Sequence, residues 1–424
     1  MGSLDSPIVQ PIHRRLVGSV SDHAHFASDL DWIPAGLVGA NTVFSAYSNR
    51  YAVKSGPVLQ SASVADFYQN YSCSTPIWPV GSAGLPYEVA VDTPAYTYLT
   101  GRRGLMIDPG GTRRNDSRPQ TGFTLDTFTG TNLPAEGLFE EPMRVASQGA
   151  TWNRAGRPFT WVAGDPVYLT FQYAAGTSGE VRLTIRSSDS ATETKIRGTV
   201  GSVVNDETSF GTVDYFKEYA LPNGHYLLLV KFTPDANAAG SIGLGPNSST
   251  VGEDVVFYAG QIRDQGFGWI FGDQTQQVTQ GPTNLQVADL IETLCVGQDA
   301  SIYLEFGDTV GVNGSNRLIQ HSTGSILRFS SAEAQIAIGI DSYQKLADIS
   351  TPLSGKVVIG VENGVKASGS FDGAAAETVV EASSVLASDI YFMGAGSNGV
   401  CGVLYDAAVW DRQLSDAEME AVTS

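Results

Sequence analysis

His13, His23 and His25 fall in one short stretch, HRRLVGSVSDHAHF. A His-x-His pair on a strand puts both imidazoles on one face, as a metal site requires, and His13 could add a third ligand. Without a fixed ligand spacing the three read instead as surface histidines of an extended arm. Hydrolysis of a glycoside needs two carboxyl groups flanking the sugar, about 5–10 Å apart. The densest acidic run, Asp416, Glu418 and Glu420, sits in a C-terminal helical pattern and spreads over solvent-facing positions. Glu140 and Glu141 are adjacent and would point oppositely on a strand. Neither a G-x-S-x-G elbow nor a P-loop occurs, so the chain reads as a non-enzyme without catalytic residues.

Binding is the better reading. Sandwich modules hold sugars by stacking the ring on Trp or Tyr beside amides and carboxylates that take the hydroxyls. Trp152, Trp161, Tyr215, Tyr219 and Trp269 are the candidates in the middle of the chain, each read first as core or interface and only second as a ligand platform. A basic island, Arg102, Arg103, Arg113, Arg114 and Arg118, is set in an acidic chain. It is read either as docking onto another subunit or an acidic partner, or as salt bridges at a domain junction. The acidic loops at Asp206–Glu207 and Glu253–Asp254 permit calcium without indicating it, and no metal or other cofactor is expected.

Composition narrows the setting. The 25 basic against 44 acidic residues give a net charge of −19, which argues against nucleic acid and against anionic membranes as partners. The charge suits solubility of a large assembly. Cys73, Cys295 and Cys401 are too few and too far apart for a disulfide framework or a Cys-based zinc site. The N-terminal residues have no basic start followed by an apolar core, so no signal peptide is expected. No run of 18 apolar residues suggests a membrane span.

The elements that must position these residues are strands. Charged residues make up 16%, with 47 glycines, which favours β-architecture. Residues 1–115 read as irregular, with Pro/Gly-rich chain such as PIWPVGSAGLP (76–86) and one short helix over 63–71. Residues 116–270 read as an antiparallel sandwich; in GEVRLTIRSS, Val181, Leu183 and Ile185 alternate with Arg182, Thr184 and Arg186, the mark of one wet face. Residues 271–285 read as a linker or a sheet edge. Residues 286–424 form a second sandwich, with a two-residue hairpin turn predicted at Asn363-Gly364. Ser415 and Glu418 make a capping box for a closing helix, with Leu414, Ala417 and Ala421 as its apolar stripe and Trp410 beneath it.

Three stretches carry a resemblance. AVWDRQLSDAEMEAV (408–422) and IGVENGVKASGSFDG (359–373) are similar to the late strand and the hairpin of concanavalin A-like (laminin-G-like) jelly rolls, over roughly residues 286–424. DTPAYTYLTGRRGLMIDPGGTRRN (92–115) resembles a line found in bacteriophage and prophage virion proteins, with Asp108 where Glu is usual and Gly110–Gly111 for a small-residue–Arg pair. DVVFYAGQIRDQGFGWI (254–270) looks like the strand that ends their carbohydrate-binding-module-like jelly roll, with Ile262, Arg263 and Asp264 replacing a Leu-Glu run. The Glu-x-Asp-x-x-Glu strand of catalytic concanavalin-like folds is not found.

The resemblance implies an all-β chain: two antiparallel jelly rolls in tandem after an irregular attachment and oligomerisation region, with a short C-terminal helix. It implies a structural protein of a tailed phage or gene transfer agent, a head spike or tail fibre. The protein would be made in the bacterial cytoplasm and built into the virion as a homo-oligomer (trimer or pentamer) at a capsid vertex or tail. Its role would be receptor binding, by adhesion to host-surface polysaccharide. A decoration protein contacting only other virion proteins is the competing expectation, and a capsule depolymerase a further one.

Overall fold

The computed structural model describes residues 30–124, 128–150, 153–188, 192–271, 273–311, 316–322, 324–330, 333–336, 344–348, 353–380, 385–394 and 400–424. Their regular structure is almost all antiparallel sheet, with a short C-terminal helix, as expected of an all-β chain.

The middle sandwich sets a five-stranded sheet, centred on Ala238–Pro246 and Glu180–Arg186, against a sheet that runs through Thr212–Ala220, His225–Thr233, Val167–Ala175 and Asp254–Arg263. Val181, Leu183 and Ile185 face the shared core beside Phe171, Val230 and Phe257. The opposite face is not wet. Arg182 and Thr184 are also buried, because Arg154 lies along that face, donating to Thr184 O (3.2 Å) and Ser241 Oγ (3.0 Å). Alternation marks which side faces the apolar core, but it does not reveal that a second layer covers the other side.

The C-terminal sandwich departs further from expectation. Its larger sheet runs Glu377–Val380, Lys366–Phe371, Leu353–Glu362, Ala300–Gly311, Val400–Trp410, Thr42–Ser45, Arg50–Ser55, Val58–Ala62. The last three strands lie in the region read as irregular, and Asn70–Cys73 likewise closes the edge of the facing sheet. Thr42 pairs with Val409 and Ser45 with Asp406. These strands are four to six residues long and joined by turns at Asn49 (φ 54°) and Gly56 (φ 64°). Fragments this short gain their stability from partners some 350 residues away, which local pattern does not display. Within 63–71, only Val64–Phe67 is helical, before the chain extends into Asn70–Cys73. The linker read over 271–285 carries Val278–Gln280 and the start of Thr283–Gln286, both paired in sheets.

The hairpin at Asn363 pairs Glu362 with Lys366, so its loop holds three residues and not two. Val365 N–H donates to Glu362 O (2.9 Å), and of the central pair only Gly364 has a positive φ (70°), the position a type II turn reserves for glycine. The closing helix is Asp416–Thr423, capped by Ser415 and Glu418 as the sequence predicts. Its buried residues are Met419 and Thr423, with Leu414 before it, while Ala417 and Ala421 are exposed. The larger Leu414 and Met419 take the contact because they reach Val43, Tyr303, Val358, Ala408 and Trp410 on the sheet, while Thr423 bonds Ser370 and Gly373. Gly360 leaves room for the Met419 methyl; a Cβ there would lie 2.9 Å from it.

One buried ion pair joins the two sandwiches. Asp108 follows the Gly104–Ile107 strand, which pairs with Val400–Trp410, whereas Arg263 ends the Asp254–Arg263 strand. Both side chains are fully buried. Asp108 Oδ1 accepts from Arg263 Nη2 (3.0 Å) and Gly110 N (2.8 Å), and Oδ2 accepts from Arg263 Nη1 (3.0 Å) and Gly268 N (3.0 Å). Around it pack Trp78, Tyr168, Tyr215, Tyr219, Phe267 and Trp269.

Two predictions follow from this packing. Asp108→Ala strands a buried guanidinium and should lower unfolding free energy by about 3–5 kcal/mol, whereas Asp108→Leu with Arg263→Met should recover most of it; equal losses in single and double variants, by urea titration, would refute the pairing. Deleting residues 413–424 uncovers Trp410 and Tyr303 and should lower the melting temperature, whereas an unchanged melt would show that the helix does not hold the sheet.

Candidate functional site

The residues picked out from sequence are mostly interior. Trp161 is buried among Phe159, Phe210 and Phe232, with its Nε1–H on Arg186 O (2.9 Å). Tyr215, Tyr219 and Trp269 are buried in the junction between the sandwiches, and Trp152 lies outside the described residues. None of the four described aromatics presents a face to a sugar: Trp161 fills the core of the middle sandwich and the other three close the junction.

The basic island is likewise spent within the chain. Arg113 is fully buried, donating to the carbonyls of Ile270, Asp273 and Gln276, and burial pulls its pKa down to about 10. It is therefore not a docking residue. Arg118 is paired with Asp116 (2.9 Å) and Glu141 (3.1 Å), Arg114 with Asp165 (3.5 Å), and Arg103 stacks on Tyr96 (3.7 Å). The loop acids are also taken: Asp206 by Arg197, Glu207 by Lys195, and Asp254 by Arg144. His13, His23 and His25 lie outside the described residues, among which no group of three His, Cys, Asp or Glu side chains could hold a metal. Burial pushes the thiols of Cys295 and Cys401 up to about 12, which leaves them unreactive.

What the fold does assemble is a polar row across the outer face of the larger C-terminal sheet. Cross-strand register sets Arg50 opposite Ser45, Ser45 opposite Asp406, Asp406 opposite Glu305, and Glu305 opposite Lys356. The neighbouring row, two residues along each strand, is Ala52, Val43, Ala408, Tyr303 and Val358, and it lies beneath the closing helix. One face is thus split between a covered apolar row and an open polar one.

Arg102 clamps the polar row from above. Its guanidinium binds Glu305 and Asp406 (2.8 Å to the latter) and lies 4.3 Å over the Tyr405 ring and 6.0 Å from that of Tyr47. Tyr405 lies flat between two glycines: a Cβ at Gly104 or Gly307 would come within 2.8 Å of its ring. Its hydroxyl meets that of Thr100 at 2.7 Å. Asp406 is nearly enclosed. Burial raises its pKa to about 6, and the adjoining Glu305 carboxylate adds to the rise against the opposing Ser45 and Arg102.

Beside this clamp a cleft of about 410 Å³ opens where the two sandwiches meet. Its walls include Glu305, Asp308, Ser354, Lys356, Asp372 and Tyr405, with Lys217 reaching across from the middle sandwich to Asp308. Asp372 (φ 46°) folds its carboxylate over bare Gly355 and accepts from Lys356 N (2.7 Å). Glu305 and Asp406 stand directly opposite on adjacent strands, both held by one guanidinium, so no sugar ring fits between them as hydrolysis would require. Ammonium donors alternating with carboxylate acceptors suit hydroxyl groups, which both give and take hydrogen bonds.

Of this site sequence reading picks out Arg102 but not the acids it holds, although a signal for them is present. Glu305 in YLEF and Asp406 in LYDAAV are lone acids inside otherwise apolar strands, and a charge placed there needs a built partner.

Neither a family model nor a curated protein matches the chain. Similar solved structures include Trypanosoma rangeli sialidase in complex with the inhibitor DANA, at 11% identity, 88% of this chain, 66% of that one and a TM-score of 0.27. The same sialidase with 2,3-difluorosialic acid, a covalent intermediate, gives 10% identity, 92% and 72% coverage and a TM-score of 0.26. The chain spans 66% of the first sialidase's length, and likeness at these scores carries no argument about fold or activity. Among the described residues no helix is long and apolar enough to cross a membrane.

The clamp makes stability depend on pH. Asp406 titrates at about 6 when folded against an ordinary 3.8, so between those values the folded chain holds more protons than the unfolded one. Stability should therefore fall as pH rises from about 4 to about 6, by up to roughly 3 kcal/mol. Asp406→Asn should flatten that component in denaturant titrations across this range; a variant with the wild-type slope would assign it to other groups.

Proposed function

We propose that this chain is a structural and receptor-binding protein of a tailed phage or phage-derived particle, and that it adheres to host-surface glycans without covalent chemistry. One observation carries the reading: the stretches that resemble virion proteins meet at a single junction, beside which the polar cleft opens. Asp108 of residues 92–115 grips Arg263 of residues 254–270, and Leu105 and Ile107 pair with Leu404 and Gly402, on the strand that leads into residues 408–422. A shared joint among the three is what a common displayed unit requires, whereas chance resemblances have no reason to touch. The net charge of −19 keeps a large assembly dispersed.

In this reading the two sandwiches face outward and the cleft supplies a weak single-site contact, multiplied by copies of the chain in a homo-oligomer at the capsid vertex or tail. The virion is its location and other virion proteins its second set of partners. The adhesion half is tested by titrating purified full chain with host-surface polysaccharide while assaying new reducing ends. Saturable binding without new ends is expected. Absence of binding at millimolar saccharide would leave the decoration role in its place, and appearance of new ends would make the protein a depolymerase.

A further inference from the structure

The chemistry of the cleft goes beyond that reading, on which it rests, and specifies the ligand. Lys217 is paired with Asp308, and Arg102 lies between Glu305 and Asp406. Lys356 gives its backbone N–H to Asp372 and its ammonium to Ser424 O. Cations and acids are thus interleaved with the acids in slight excess, so the wall gives no net attraction to a polyanion, whose every charge meets both signs at similar range. A hydroxyl is the group that profits, donating to a carboxylate and accepting from an ammonium on neighbouring strands. Directly opposed side chains start about 4.5–5.5 Å apart at Cβ, close enough for their polar ends to converge on two adjacent hydroxyls.

The cleft is open to solvent, and its volume of about 410 Å³ lies in the range of small-ligand sites. An aromatic surface stands at the same end. Tyr47 is 63% exposed and follows the Thr42–Ser45 strand, and its ring faces the Arg102 guanidinium that also covers Tyr405. An exposed tyrosine whose neighbour is held by two carboxylates and a second ring is presented at low entropic cost. The floor is fixed as well. The Lys356 ammonium is tied to Ser424 O at the end of the closing helix and its backbone N–H to Asp372, so donor and acceptor are positioned before any ligand arrives.

We infer that this cleft is a binding site for a neutral, vicinal-diol saccharide, with Lys356 and Ser354 donating, Glu305 and Asp372 accepting, and the Tyr47 ring stacking at its rim. The aromatic platform is thus an exposed residue of the C-terminal sheet and not one of the buried aromatics of the junction.

The test is calorimetric and saturation-transfer NMR titration of the full chain with maltoheptaose and a mannan hexasaccharide as neutral probes, and an alginate hexasaccharide as the anionic one. A neutral probe should bind more tightly than alginate, and Tyr47→Ala and Lys356→Met should each weaken it about tenfold. Val204→Ala, an exposed residue of the middle sandwich, should bind like wild type. Melting curves establish that each variant is folded. Neutral binding that survives both cleft substitutions moves the site elsewhere and leaves adhesion standing. Tighter binding of alginate overturns the charge argument. Failure of both neutral probes up to roughly 10 mM overturns the inference even where host polysaccharide binds, and failure of host polysaccharide too overturns the adhesion reading with it.

Discussion

The buried Asp108–Arg263 pair is the constraint around which the rest of the molecule is arranged. Removing two charges from water is costly, and the cost is recovered only where good geometry and further hydrogen bonds accompany the pair. Here backbone groups from separate parts of the chain, Gly110 N and O and Gly268 N and O, supply those bonds, Thr283 Oγ1 holds the Asp108 backbone, and Arg263 Nε is left without a partner among the described residues. Two of these are glycines by necessity. Gly110 has a φ of 81°, and a Cβ on Gly268 would lie 2.0 Å from Asp108 Oδ2. A pair this demanding tolerates one arrangement, so the chain around Asp108, the strand bearing Arg263 and the segment entering the last sandwich are placed relative to each other by a single contact.

The junction then builds outward from it. Trp78 bridges to Trp269, Phe267 N–H donates to Cys401 Sγ (3.4 Å), and Tyr215 and Tyr219 fill the space between. At the rim of this apolar layer Lys217 of the middle sandwich meets Asp308 of the last, and there the cleft opens. Its walls belong to two sandwiches that cannot shift independently without breaking the buried pair. A weak ligand gains most from walls already in position, because little ordering is left to do when it binds.

Much of the class of structure is legible in the residues: the alternating strands, the capping box at Ser415 and the all-β character all follow from local chemistry. Among the positions where residues 92–115 and 254–270 depart from the pattern they resemble, Asp108 and Arg263 touch as a buried ion pair. Each looks like a mismatch alone and becomes an ion pair only in three dimensions. Other features were hidden for similar reasons. Thr42–Ser45 and its neighbours are too short to declare themselves without Val400–Trp410 beside them. Trp161 and Tyr219 have the composition of a sugar platform, and composition does not reveal burial. The polar row is a property of register across strands drawn from the first and last hundred-odd residues, so neither its members nor its order can be read along the chain.

The closing helix ties stability to the site. Its apolar side covers one row of the outer face, through Met419 and Leu414 on Tyr303 and Val358. Its last turn reaches the adjacent polar row: Thr423 Oγ1 accepts from Gly373 N (3.0 Å), Glu420 accepts from Ala376 N (3.1 Å), and Ser424 O takes the Lys356 ammonium. Gly373 and Ala376 flank the turn that begins at Asp372, so the helix holds both the acid and the amine that end the cleft. The acidic run of the helix, which looks idle in sequence, works by this contact and by the Glu418 cap, not by chemistry on a ligand. An element that seems to be only a cover therefore also sets the distance between a donor and an acceptor, and the outer face is finished by the same eight residues that leave half of it open.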